Sequence, residues 1–492
     1  MFSNPREQNT PSRERPARGG WPWFQWIHCC QLPLEKLLSV GMRESAGASR
    51  GLRGSVRGMR ISEIAVHRIA IADPPLRSSY GLHQPYALRT ILEIKGDNGV
   101  TGIAETYGGE APADALEQLR PRLIGADPFR LSGTLVDMVE GKGAGDARSQ
   151  TMLVPGENPL DATARTYSAV ETACLDLIGK TVGAPVCDLI GGRVRDAVPF
   201  SAYPFYKHAG GGGEGDDVRE DEYGEALSPE GIVAQVRQLI AKYGFKDIKF
   251  KTGVLDPDIE IESVRALRKE FGLPVRMDPN CAWSVETSIR VGKELREELG
   301  SATGGYLEDP TASISGMAEV RRALLDAGCN VPLASNVAVT CFADLPQAFR
   351  EDAVQIVLCD HHYWGGMRQV QHLAKICQTW GVGLSMHSNS HLGVSLMAMA
   401  HVAAATPHLS YACDTHYPWS QAKDEIVVGG RIKFVNGSVV IPDKPGLGVE
   451  LDYDQVARGR ERYAKCPYRK RDDTAEMRKH VDPKWERLLP RW

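Results

Sequence analysis

Asp247-Ile248-Lys249-Phe250-Lys251 is a short apolar run that follows Gly244-Phe245 and closes on two lysines one residue apart. In an extended chain, residues two apart point to the same face, so the run predicts a strand presenting two ammonium groups side by side. Like charges in contact oppose folding. Their proximity, like burial, lowers a lysine pKa toward that of a working base near neutral pH. Seven other runs share this length and character: Phe200–Phe205, Val275–Pro279, Gly305–Asp309, Pro332–Asn336, Ala353–Asp360, Gly383–His387 and Ser410–Asp414. Seven helical patterns separate the eight runs, among them Pro229–Lys242, Asp256–Phe271 and Val285–Glu298. Strand–helix alternation implies parallel strands, and eight of them imply a (β/α) barrel.

Upstream the pattern differs. Ile61–Ile71 alternates like a strand, Arg89–Lys95 is another, and Gly96-Asp97-Asn98-Gly99 is a hairpin turn into a third at Val100–Glu105. Helical patterns follow at Pro112–Ile124, Phe129–Val139 and Tyr167–Ile178. We therefore expect an α+β unit over residues 59–195, a barrel over 196–435, and a C-terminal segment over 436–492 that opens near Pro445-Gly446-Leu447-Gly448. Residues 1–58, rich in Arg, Gly, Ser and Pro around Trp21-Pro22-Trp23-Phe24-Gln25-Trp26, read as a disordered leader or as the result of an upstream start codon. Lys207–Ala226, with four successive glycines at Gly210–Gly213 and the acidic stretch Asp216–Glu222, follows the first barrel strand. It should sit at the barrel mouth, as a mobile lid or an inert loop.

Composition narrows the class. The 492 residues are 42% hydrophobic and 24% charged, with net charge −4, which is an ordinary globular balance. Nothing in it supports nucleic-acid binding or a polybasic membrane role, and no apolar run reaches the length of a membrane span. The 11 cysteines are an odd number with no Cys-x-x-Cys, which reads as reduced cytoplasmic thiols, and Cys281 and Cys359 read as small buried residues.

Chemistry in such a barrel sits at the C-terminal strand ends. Successive runs end in Lys249 and Lys251, in Asp278-Pro279-Asn280, in Glu308-Asp309-Pro310, in Asn336, in Asp360, in His387-Ser388-Asn389-Ser390-His391 and in Asp414-Thr415-His416. Asp278, Glu308 and Asn336 are oxygen donors on three adjacent strands, a hard ligand set that favours Mg²⁺. Acidic strand ends capping the following helices would account for one such residue, but not for three facing a lysine pair. A divalent ion and an ammonium group together stabilise an enediolate formed from a carboxylate substrate, while the second lysine takes the α-proton. His387 then serves as base or acid on the opposite face, with Asp360 on the neighbouring strand fixing its tautomer.

Lys-x-Lys, the Asp/Glu/Asn series and the Asp360–His387 pair resemble the enolase superfamily, and within it the glucarate dehydratase subgroup, over residues 59–475. Asn336 as third ligand, His387 to His391, Asp414-Thr415-His416, Pro442 to Gly448 and Arg471-Asp472-Asp473 carry the subgroup likeness. The resemblance implies a (β/α)7β TIM-like barrel, an α/β fold, capped by an α+β domain built from the N-terminal region and the C-terminal segment. It implies Lys251 as base on one face, Lys249 as electrostatic stabiliser, His387 with Asp360 as the opposed base, and Asn280 supporting the metal end. It implies substrate contacts from His83, Tyr203, Ser388, Asn389, His416 and Arg471, with Arg471 suited to a distal carboxylate. The implied reaction is Mg²⁺-dependent dehydration of D-glucarate, with L-idarate as an epimeric substrate. Ser78 stands where the subgroup carries an Asn touching substrate, a departure that bears on sugar-acid preference. His361, His362 and His401 have no implied role and read as structural or exposed.

Three readings compete: a glucarate-type dehydratase, a dehydratase or epimerase of another acid sugar, and a non-catalytic sugar-acid-binding paralogue or partner subunit. The expected partners are a small aldarate and further copies of the chain as a homo-oligomer, with no nucleic acid and no membrane.

Overall fold

The computed structural model describes residues 58–134 and 159–492. The expected leader, apart from Gly58, and the end of the Phe129–Val139 pattern lie outside the described residues. Strands β1 (Ile61–Ala72), β2 (Tyr86–Gly96) and β3 (Thr101–Tyr107) form an antiparallel sheet in the order β1-β2-β3. The β2–β3 turn is the one expected, with Gly99 at φ 81°, a conformation glycine adopts at no steric cost. Helices α1 (Glu110–Leu123) and α2 (Pro159–Val182) complete this unit.

The second unit is a parallel sheet of six strands in sequence order: β4 (Ile248–Lys251), β5 (Val275–Asp278), β6 (Tyr306–Glu308), β7 (Leu333–Ser335), β8 (Ile356–Cys359) and β9 (Gly383–Met386). The first and eighth expected runs are not regular strands. They close the curve through single bridges, Phe200 to Cys413 and Ala202 to Ile248, and through bonds such as Lys249 N to Ala202 O (2.8 Å) and Asp414 N to Met386 O (2.8 Å). Pro204 interrupts the first run, because proline has no N–H to give a ladder.

The outer helices carry their boundaries in sequence. α3 (Pro229–Tyr243) starts with Ser228 accepting from Gly231 N and ends at left-handed Gly244. α4 (Pro257–Phe271) starts with Asp256 accepting from Asp258 N and ends at left-handed Gly272. Each such cap contributes about 1 kcal/mol. α5 (Gly393–Ala404) differs, since all its residues are buried, as expected of a helix that is apolar all round. The C-terminal segment returns to the first sheet. Arg462 of α6 (Tyr453–Lys465) donates to Ala70 O at 2.9 Å, and Tyr463 and Cys466 pack with Ala70 and Tyr86.

The Lys207–Ala226 segment is tied down. Lys207 and Ala226 pair across its base, and the buried Lys207 ammonium donates to Asp221 (2.8 Å) and to Gly224 O (3.0 Å). Its glycines permit close approach: a Cβ on Gly212 would lie 2.3 Å from Asp73 O. Among the described residues no helix is long and apolar enough to cross a membrane, and no disulfide forms. Cys281 and Cys359 are buried, as expected.

Candidate active site

Register places the lysines. β4 and β5 pair Lys249 with Arg276 and Lys251 with Asp278, so both ammonium groups emerge beside the first expected metal ligand. Lys251 Nζ lies 2.8 Å from Asp278 Oδ2 and 3.4 Å from the Tyr203 hydroxyl. Lys249 goes elsewhere: its fully buried Nζ donates to Glu308 Oε2 (2.6 Å) and Asp414 Oδ2 (2.8 Å), with Asp278 Oδ2 at 3.5 Å. The expectation that crowding lowers this lysine's pKa is corrected here. Burial alone would lower it, but Asp414, Glu308 and Asp278 outweigh burial and hold it well above the ordinary lysine value. Burial raises the Glu308 carboxyl well above its usual range, and the neighbouring Asp278 and Asp414 raise it further. Burial also opposes ionisation of Asp278, yet Lys251 and Lys249 bring it below the usual range.

Three carboxylates thus face two ammonium groups, and some of their oxygens remain unused. Glu308 Oε1, Asp414 Oδ1 and Asn336 Oδ1 are buried without a hydrogen-bond partner. A buried acceptor left unpaired costs about 1–3 kcal/mol. Hard oxygens with open lone pairs, in a cluster of three carboxyl groups, fit a divalent cation such as Mg²⁺. Asn336 is held in place by Asp309, whose carboxylate accepts from Asn336 N (2.7 Å), Val337 N (3.0 Å), Ala338 N (3.2 Å) and Ser335 Oγ (2.6 Å). Asn280, at φ 44°, gives its N–H to Asp278 Oδ1 at 3.1 Å and so fixes that carboxylate's rotation.

Across the mouth, His387 Nδ1 lies 2.9 Å from Asp360 Oδ2. Burial disfavours the charged carboxylate, but His362 and His387 hold Asp360 well below its ordinary value. An ionised carboxylate only accepts, so His387 carries its proton on Nδ1 and leaves Nε2 as the basic nitrogen. Asp360, His361 and His362 offer ligand atoms within 4.8 Å of one another. Asp360 Oδ1 is already taken by the backbone N–H (2.8 Å) and Nδ1 (2.7 Å) of His362, so the cluster is a hydrogen-bonded arrangement and not a metal cage.

The expected substrate contacts join these two groups. Ser388 Oγ bonds His416 Nδ1 at 2.9 Å, and burial, with His391 and other basic side chains nearby, keeps His416 well below the ordinary histidine pKa and hence neutral. His416 packs on Tyr203 (4.8 Å between ring centroids) and Phe205 (5.2 Å), and Phe205 reaches His83 (6.0 Å). His83 shares Asp73 with Arg471, at 3.1 and 3.6 Å, and Arg471 also bonds Asp473. Asn389 accepts from Arg89 at 3.0 Å. Ser78 turns its hydroxyl to Tyr80 N (3.2 Å). Sequence reading missed Asp414 as a Lys249 partner, Asp309 as the brace of Asn336, Asp73 behind His83 and Arg471, and His362 on Asp360. Asp414 and Asp309 stood in the same series of strand ends; Asp73 and His362 had no periodic signal. His361, His362 and His401 are all buried, so the exposed alternative is excluded.

Two family descriptions match the chain: "Enolase C-terminal domain-like" over residues 231–456, and "Mandelate racemase / muconate lactonizing enzyme, N-terminal domain" over residues 63–191. The chain belongs to the enolase superfamily. Within it the likeness is to acid-sugar dehydratases, which makes it an enzyme, a glucarate dehydratase-like hydro-lyase. It is 46% identical to a probable glucarate dehydratase of Streptomyces coelicolor, across 89% of this chain and 100% of that protein. A solved enolase from Pseudomonas fluorescens, with bound magnesium, potassium and tartrate, is 46% identical and superposes with TM-score 0.82 over 89% of this chain and 100% of its own. Another from Thermobispora bispora, complexed with magnesium and formate, is 47% identical with TM-score 0.80 over 88% and 100%.

Proposed function

We propose that this enzyme dehydrates D-glucarate, and L-idarate from the opposite face, to 5-dehydro-4-deoxy-D-glucarate. What supports this reading is a pair of candidate bases, each held by an acid at its own strand end: Lys251 on Asp278, and His387 on Asp360. Two bases on opposite faces of one carbon suit two epimers of one acid. Asp278, Glu308 and Asn336 would hold Mg²⁺, which supplies charge stabilisation at the carboxylate being enolised.

Lys251 Nζ, or His387 Nε2 for the other epimer, takes the proton from the carbon next to the carboxylate. Lys249, locked positive by its acids, faces the negative charge that develops on the carboxylate oxygens. Where His387 took that proton, its imidazolium returns it to the departing β-hydroxyl; where Lys251 took it, His387 must enter the turnover already protonated to supply the β-hydroxyl, and Lys251 then gives its own proton to solvent. One C–H and one C–O bond break, water leaves, and the resulting enol tautomerises to the keto acid. Arg471 and His83, at the cap end of the Tyr203–His416–Phe205 wall, receive the distal carboxylate.

Purified protein, stripped of metal and then supplied with or without Mg²⁺, should form keto acid from D-glucarate only when Mg²⁺ is present. A panel of aldarates run alongside reads the preference set near Ser78. Failure to dehydrate any member of the panel sinks the proposal.

A further inference from the structure

Asp360 has two carboxylate oxygens, and the proposed base uses only one of them. The other receives both the backbone N–H and the ring Nδ1 of His362, at 2.8 and 2.7 Å. His362 is 3% exposed, and its second nitrogen, Nε2, lies 3.1 Å from Ser395 Oγ. Ser395 Oγ is also 3.3 Å from His391 Nδ1, and His391 Nε2 is 3.1 Å from Thr415 Oγ1.

For a neutral His362 ring, donor bookkeeping allows one direction along this chain. Ionised Asp360 accepts from His362 Nδ1–H, so His362 Nε2 is an acceptor and Ser395 Oγ–H donates to it. Ser395 must then receive from His391 Nδ1–H, and His391 Nε2 receives from Thr415 Oγ1–H. Thr415 in turn accepts from Tyr417 N at 3.2 Å. Burial, with Arg89 and His362 nearby, holds His391 well below the ordinary histidine value, which agrees with a neutral ring at this point.

The chain is anchored at the cap. Ser395 N and Leu392 N both donate to Glu105 at 2.9 Å, Glu105 pairs with buried Arg89 at 2.9 Å, and Arg89 reaches Asn389 at 3.0 Å. Asn389 lies two residues beyond His387, so the contacts that start at His387 return to its own loop.

We propose that His362 is a positioning residue for His387: by occupying one oxygen of Asp360 it aims the other at His387 Nδ1 and keeps Nε2 as the basic nitrogen. This rests on the dehydratase reading, in which His387 is one of two bases. His362 touches neither substrate nor reacting atoms and acts through Asp360 alone.

The test uses the full chain with Mg²⁺ and two variants. His362→Phe removes both ring bonds at similar volume, and His362→Asn restores a donor near the Nδ1 position. In D₂O, His362→Phe should lower kcat and α-proton exchange on the His387 face by about 10- to 100-fold. KM should stay within about twofold, as expected when ground-state binding is intact. Exchange on the Lys251 face should be unchanged, and His362→Asn should recover most of the loss. Equal exchange on both faces of His362→Phe, whether preserved or lost, overturns the inference. If wild type exchanges no aldarate proton, the dehydratase reading has failed, and a measurement independent of activity still decides this one. Selective ¹⁵N-histidine spectra, assigned with His387→Asn, should show the Nδ1–H tautomer of His387 in wild type and a mixture in His362→Phe. An unchanged tautomer would overturn the proposal.

Discussion

Lys249 and Lys251 differ by two positions on one strand, yet their surroundings assign them different work. Lys249 touches Glu308, Asp414 and Asp278 and is fully buried. An ammonium so held has no lone pair to offer and is a fixed charge. Lys251 touches one acid and one phenol, and its side chain is 10% exposed toward the mouth. Replacement separates the two. Lys249→Met should cost about 3–5 kcal/mol, because it leaves buried carboxylates without their cation. Lys251→Met should cost far less and should abolish exchange on its own face, with the His387 face retained. Urea unfolding and D₂O exchange read the two effects, and equal stability losses would refute the division. The lysine pair and the ligand series were legible because each residue ends its own apolar run. Asp414 stood among those ends, but strand order alone does not tell which acid turns to which lysine. His362 was illegible because past the strand end no periodicity fixes which of His361 and His362 faces Asp360.

At the scale of elements, the site depends on loops that touch. Thr252 N bonds Asp278 O at 2.9 Å, joining the ends of β4 and β5. Gly253 follows at φ 72°, and a Cβ there would lie 2.3 Å from Pro279 O. The Gly253, Val254 and Leu255 N–H groups all point to Glu260 in the first turns of α4, at 2.8–3.1 Å. Gly253→Ala would therefore push the Lys251 loop off the Asp278 loop while forcing an unfavourable backbone angle, at about 1–3 kcal/mol. The expected outcome is a lower melting temperature together with a lower kcat. A variant with wild-type melting and turnover would mean that the two loops do not constrain each other. The regular strands were readable for the same reason that they are rigid, since a run buried on both faces admits few polar residues. Runs one and eight were counted as equal members, although Pro204 already limits how much ladder the first can form.

Over the whole molecule, three separated parts of the chain meet on one histidine. His401 lies in α5 and is 0% exposed; its Nδ1 accepts from Cys187 N at 3.2 Å and its Nε2 donates to Leu447 O at 3.2 Å. Cys187 follows the cap helix α2, and Leu447 belongs to the C-terminal segment, so a neutral imidazole inside the barrel's most buried helix ties both to it. The bond from Cys187 needs the neutral ring, since a second proton would set an N–H against the Cys187 N–H, whereas the bond to Leu447 O is made in either state. Burial lowers the His401 pKa to about 4 from 6.5. Above pH 6.5 the ring is neutral in both folded and unfolded chains, and its contribution is complete. As pH falls from 6.5 toward 4, the unfolded chain takes up a proton that the folded one refuses, so stability falls; below 4 the loss levels off. The size across that window is about 3 kcal/mol. His401→Gln keeps a donor for Leu447 and has no titration there, so its unfolding free energy should fall less between pH 6.5 and 4 than that of wild type, by up to that amount. Parallel curves for the two proteins would show that acid sensitivity arises elsewhere, and that the junction of cap, barrel and C-terminal segment does not depend on the charge of this ring.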